Sequence, residues 1–189
     1  SFILNENPLS ILSQPGAKEC CLELNSLSKA HNMAGWRIGM VAAQAEVISQ
    51  ILKVKSQMDS GMFKPLQLAA VQALKQGPEW FERLNAEYKA RRVLAGEIFD
   101  ILGVEYDKAS TGMFLWGKVS GEADGDKSLG EALADKVLYE AGVFITPGFI
   151  FGKNGGNYVR ISLCAKPELL KKAAERIRSV IPCVVEGSE

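Results

Sequence analysis

The stretch Ser26-Leu-Ser-Lys-Ala-His-Asn-Met-Ala-Gly-Trp-Arg-Ile-Gly39 decides how the rest of the chain is read. Lys29 closes an apolar, strand-like run, with the hydroxyls of Ser26 and Ser28 before it and the guanidinium of Arg37 after it. An amine condenses readily with an aldehyde to a Schiff base when desolvation or a neighbouring cation lowers its pKa. Serine hydroxyls and an arginine fork can hold a phosphate dianion close by. The combination suits a cofactor that carries both a carbonyl and a phosphate. A lone lysine beside two serines is ordinarily a solvated surface residue, so the fixed spacing carries the reading.

At that spacing the segment resembles the lysine signature of the class I/II aminotransferases, the fold-type-I enzymes that use pyridoxal 5'-phosphate (PLP). Ser26, Ser28, Lys29, Met33, Gly35, Arg37, Ile38 and Gly39 fill its fixed positions. The resemblance implies that Lys29 carries the Schiff base and is the catalytic residue. It also implies that Ser26 and Arg37 hold the cofactor phosphate, with Ser28 a further candidate for the same phosphate. The fold class implied is α/β, the C-terminal part of a fold-type-I PLP-dependent transferase, comprising the end of the large α/β domain and the small α+β domain. In the family an aspartate and a tyrosine on an upstream strand contact the cofactor ring. By resemblance Ser1 falls just after them, so the chain is expected to be the C-terminal half of a longer protein and inactive alone.

With 189 residues the chain can form one large domain or two smaller ones. Its 22 basic and 22 acidic residues cancel, which gives no electrostatic case for nucleic acid or an anionic membrane as a partner. No apolar run approaches the length of a membrane span. Cys20, Cys21, Cys164 and Cys183 form no Cys-x-x-Cys pair, and with His31 as the single histidine there is no credible metal ligand set. Cys20 and Cys21 are expected on opposite faces of a strand, and all four thiols are read as reduced and mostly buried in a cytoplasmic protein. The signature does not fix His31, for which a surface or supporting role is the default.

Taken in order, turn residues at Asn5 to Pro8 and at Gln14 to Gly16 precede a buried strand over 20–24. A second strand is expected over 36–43. Residues 46–58 then place Val47, Ile51, Val54 and Met58 on one helical face, broken by Asp59-Ser60-Gly61. The resemblance makes Ser60 and Gly61 candidates for a homodimer interface; a plain helix stop is the other reading. Pro65 opens a helix ending near Gly77, and Pro78 starts a long one to about Leu102 along Phe81, Leu84, Tyr88, Arg91, Ala95 and Ile98. Its basic run Lys89 to Arg92 is read as an ion-paired, solvated face.

Beyond Gly103 the pattern becomes strand, turn, helix and strand. Strands are expected over 113–119, 143–146 and 158–164, with a loop over 121–125. Ser128 and Glu131 suggest a capping box for a helix carrying Leu129, Leu133, Val137 and Leu138 and ending at Gly142. Pro167 begins a last helix whose stripe is Leu170, Ala173, Ile177 and Val180. The expected domains are therefore 1–77, the end of the PLP-binding domain, 78–102, a connecting helix, and 103–189, a small α+β domain.

In the strand from Tyr158, alternation puts Val159, Ile161 and Leu163 on one face and Arg160 on the other. A guanidinium binds a carboxylate through two parallel hydrogen bonds, which lysine cannot copy. Residues 147–152 and 155–162 resemble the aminotransferase segment whose arginine binds the substrate α-carboxylate, a role the resemblance gives to Arg160. Lys153 to Asn157 precedes a strand rather than a helix and is read as a turn, not a phosphate loop.

The resemblance thus implies an aminotransferase moving an amino group from an L-amino acid to a 2-oxo acid, with aspartate and 2-oxoglutarate the leading pair. Other fold-type-I chemistry, such as that of a β-lyase or a racemase, would use the same lysine and arginine. A PLP-sensing regulator behind a DNA-binding segment is a third reading, without support from the neutral charge. A non-catalytic folding fragment would present an unpaired sheet edge and associate through it.

Overall fold

Residues 9–122 and 125–181 are described by the computed structural model. The turn at Asn5 to Pro8, part of the 121–125 loop and Cys183 lie outside the described residues. Contacts divide the chain into two units, with the division between Leu84 and Asn85.

The first unit begins with a 3-10 turn and a helical turn, α1 (Ala17–Cys20), followed by strand β1 (Glu23–Ser26) and the short helix α2 (Leu27–Ala30). A 3-10 turn at Ala34–Trp36 leads into β2 (Gly39–Ala42), which pairs antiparallel with β1 in the register Ser26↔Gly39. Helices α3 (Ala45–Met58) and α4 (Lys64–Leu74) follow. The strand expected over 20–24 is displaced: Cys20 ends α1, and β1 starts at Glu23. It is not buried either: Leu24 remains 72% exposed. The cysteines also differ from expectation. Cys20 and Cys164 are exposed, and the Cys20 and Cys21 sulfurs lie 3.8 Å apart instead of on opposite strand faces. At the break after α3, Gly61 N–H donates to Asp59 Oδ1 at 3.1 Å, an Asx turn that stops the helix.

Helix α5 (Pro78–Leu102) has the expected limits, set by Pro78 at its start and Gly103, at φ 66°, just past its end. Its first turns belong to the first unit and the remainder to the second. In the second unit, Ala95, Ile98, Phe99 and Leu102 of α5 are buried. Arg91 forms the expected ion pair with Glu87 at 3.1 Å, but its side chain is only 17% exposed and also donates to the Leu163 carbonyl, so it is not on a solvated face. Arg92 instead donates to Ser110 Oγ and the Gly112 carbonyl, fixing the following loop.

A four-stranded antiparallel sheet in the order β3 (Glu105–Tyr106), β4 (Phe114–Lys118), β6 (Tyr158–Ser162), β5 (Thr146–Pro147) forms the second unit's frame. One face carries Leu115, Val159 and Ile161, all buried, and the core continues through Phe99 and Val137. Helix α6 (Leu129–Ala141) presses its buried Gly130 against β6, where an added Cβ would come within 2.1 Å of the Tyr158 carbonyl. This contact replaces the expected capping box. The Gly130 N–H donates to the Gly156 carbonyl at 2.8 Å, and Ser128 makes no side-chain cap. The α6 stripe accordingly shifts to Gly130, Ala134, Val137 and Ala141, leaving Leu138 exposed. Helix α7 (Pro167–Val180) buries Leu170, Ala174 and Ile177, so Ala174 takes the place expected for Ala173 and Val180 is exposed. No helix of the described residues is long and apolar enough to cross a membrane.

Candidate active site

The lysine segment folds as a strand, a single helical turn and a returning strand. Its apolar positions make the anchor: Leu27, Met33 and Ile38 are buried with Ala70 of α4, and Ala69 and Ala73 pack against them. The polar positions are left facing out. Ser26 ends β1 in extended geometry and caps α2, its Oγ accepting from the Ser28 N–H at 3.2 Å. The two hydroxyls are 2.9 Å apart, with Ser26 Oγ donating to Ser28 Oγ. Lys29 lies on the same helical turn and is exposed.

The returning strand brings Arg37 to this group. Leu27 N–H donates to the Ile38 carbonyl at 3.2 Å, which fixes Arg37 next to the point where the two segments meet. Gly39 is required there, since a Cβ would sit 2.6 Å from the Asn25 carbonyl oxygen of the facing strand. Arg37 itself has φ 52° and ψ 46°, a left-handed conformation uncommon outside glycine and asparagine. One of its Nη groups donates to the Ala34 carbonyl at 3.0 Å, and its other donors make no hydrogen bond to described residues.

Among the described residues no carboxylate pairs with Lys29 or Arg37. Two hydroxyls and two cations thus lie on adjoining segments, and among the described residues neither cation has a carboxylate partner. Trp80, in the first turn of α5, donates its indole N–H to the Ala30 carbonyl at 3.1 Å and steadies the turn just after Lys29. The neighbouring His31 meets the Phe81 ring edge-on at 5.7 Å, and burial holds its pKa below the ordinary 6.5. Among the described residues no three His, Cys, Asp or Glu side chains are grouped to hold a metal ion.

Arg160 belongs to the second unit, where β6 directs it away from the buried face, as the alternation predicts. Its Cζ lies over the Phe114 ring at 4.2 Å and over the Phe151 ring at 4.3 Å. Neither aromatic residue was legible as part of a site. Phe114 reaches Arg160 diagonally across the β4–β6 register, and Phe151 comes from the 3-10 turn Gly148–Phe151, so only tertiary pairing joins them.

The sequence profile described as aminotransferase class I and II matches residues 8–177. The chain belongs to this family. Family members use PLP, and the site fits its phosphate: hydroxyls from Ser26 and Ser28 with an uncommitted guanidinium edge at Arg37 are a donor set for a dianion.

Among relatives of this chain, the LL-diaminopimelate aminotransferase of Natranaerobius thermophilus is 41% identical over 170 residues, covering 90% of this chain and 43% of the relative. That of Aquifex aeolicus is 38% identical over 175 residues, covering 93% and 44%. The chain thus spans less than half the length of these relatives. Among solved structures, apo-BacF from Bacillus subtilis superposes with a TM-score of 0.83 at 31% identity, covering 97% of this chain and 46% of that one. A probable N-succinyldiaminopimelate aminotransferase from Thermus thermophilus superposes with a TM-score of 0.81 at 31% identity, covering 94% and 46%. The fold-type-I expectation agrees with these structures.

Proposed function

We propose that the full-length protein carrying this chain is a PLP-dependent aminotransferase in which Lys29 is the catalytic amine. The observation that carries this reading is that Ser26, Ser28 and Lys29 share one turn, which the segment bearing Arg37 meets through the Leu27–Ile38 hydrogen bond, with no acidic partner for either cation among the described residues. PLP, when bound, supplies an aldehyde that reacts with amines and a ring that draws electrons from the carbon attached to the nitrogen. Ser26, Ser28 and Arg37 grip the phosphate. Lys29 Nζ would hold PLP through its aldehyde and, as a free amine, would take the proton from substrate Cα as a general base. Arg160 receives the substrate α-carboxylate through its two Nη groups and sets the orientation of the Cα substituents. The remaining contacts to the cofactor come from protein outside this chain, so the chain alone is expected to be inactive, and the working enzyme is expected to be a homodimer.

For the amino donor, the names of the relatives favour LL-diaminopimelate as the first substrate to try, ahead of the aspartate expected from the lysine segment. The structural neighbours include an aromatic aminotransferase from Pyrococcus horikoshii, so the fold alone does not choose among them. The test is Lys29→Ala in the full-length protein, assayed for amino transfer from LL-diaminopimelate, aspartate and an aromatic amino acid to 2-oxoglutarate. Turnover with the best donor should fall by at least about 10²- to 10⁴-fold, the range lost with a general acid–base group. Turnover at the wild-type rate would overturn the assignment.

A further inference from the structure

We infer that Phe114 and Phe151 are positioning residues that set the guanidinium of Arg160 for a carboxylate, an inference that rests on the carboxylate role proposed for Arg160. An arginine on an exposed sheet face ordinarily settles against an acidic side chain. Arg160 does not: among the described residues it has no carboxylate partner, its Nε is buried without a hydrogen bond, and its Nη groups are unbonded. Two aromatic rings hold it instead, with their centroids 4.2 and 4.3 Å from Cζ. The difference matters chemically. A carboxylate would occupy the donor edge and neutralise the charge, whereas ring faces restrain the guanidinium plane through their quadrupoles and leave every Nη donor free.

The rings are themselves braced. Trp116, directly opposite Arg160 in the β4–β6 register, meets Phe151 edge-on at 5.7 Å and stacks on Tyr158 at 5.3 Å. The turn bearing Phe151 begins where Gly148 and Gly155 touch backbone to backbone; a Cβ on Gly148 would lie 2.4 Å from the Gly155 carbonyl oxygen. Phe114 and Phe151 are 40% and 52% exposed, too open for core packing to account for them fully.

The test uses the full-length protein with Phe114→Leu, Phe151→Leu, their combination, Phe151→Tyr and Arg160→Lys. Acetate, an inert monocarboxylate, is titrated while the Arg160 Nε–H signal is followed by NMR, and KM and kcat are measured separately. Each leucine variant should weaken acetate binding about two- to fivefold, the range for one cation–π contact. The double variant should weaken it by roughly the product, and Phe151→Tyr should stay near wild type because it keeps a ring face. KM for the amino acid should rise by a larger factor than kcat falls, with melting temperature unchanged. Leucine variants that bind acetate like wild type while Arg160→Lys loses it would overturn the positioning role alone. Acetate binding that is unchanged even in Arg160→Lys would overturn the carboxylate reading itself, and the inference with it.

Discussion

At the scale of single residues, Arg37 combines a strained backbone with an open donor edge. A left-handed conformation costs an ordinary L-residue about 1–2 kcal/mol relative to glycine, and such strain gathers where function needs a side chain aimed. Arg37→Gly should therefore raise the stability of the folded protein by up to about 1 kcal/mol in urea titrations. It should at the same time weaken PLP binding by about 10- to 100-fold, the value of a charge-assisted contact. His31 gives a pH effect. Its folded pKa lies below 6.5, so the unfolded chain binds the proton first as pH falls. Stability should drop below about pH 6.5 and level off once the folded form is protonated as well, a drop that His31→Gln removes in denaturation at pH 7 and pH 5.5. The grouping of Ser26 and Lys29 at one turn and the outward face of Arg160 were legible because they follow from spacing along the chain. Phe114 and Phe151 were not, because a diagonal across two strands exists only once the register is formed.

At the scale of elements, helix limits were the most readable feature. Pro78 and Gly103 bracket α5, and Gly142, at φ 62°, ends α6 as expected. A local signal failed where a tertiary contact tied down the helix start instead. The Ser128–Glu131 pattern is a sound cap on paper, yet Ser128 makes no side-chain cap, and the first turn is tied instead by the Gly130 N–H to the Gly156 carbonyl. Close backbone approaches give the clearest mutational contrast. Gly148→Ala and Gly155→Ala should each cost about 1–3 kcal/mol in chemical denaturation, because the added methyl would meet backbone rather than a movable side chain. Gly35→Ala has nothing within 4 Å to meet and should leave stability nearly unchanged, although Gly35 stands at a fixed position of the lysine signature.

At the scale of the whole chain, the first unit leaves much of its apolar surface uncovered. Val54, Met58 and Phe63 are 64%, 75% and 70% exposed, on and just beyond the apolar α3 face that the sequence pattern marks out. The periodicity of α3 was legible, but a stripe does not say what covers it. Contiguous exposed apolar area of this kind drives association. The isolated 189-residue chain should therefore elute as an oligomer in size-exclusion chromatography with light scattering, and a clean monomer would count against that view. The central claim is that the turn at Lys29 holds PLP. Its most direct measurement is to load the full-length protein with PLP, reduce with borohydride and locate the pyridoxyl group by peptide mass spectrometry. A label on Lys29, lost in Lys29→Ala and weakened in Arg37→Ala, is the predicted result; a label spread over other lysines, with Lys29 unmodified, would contradict the account.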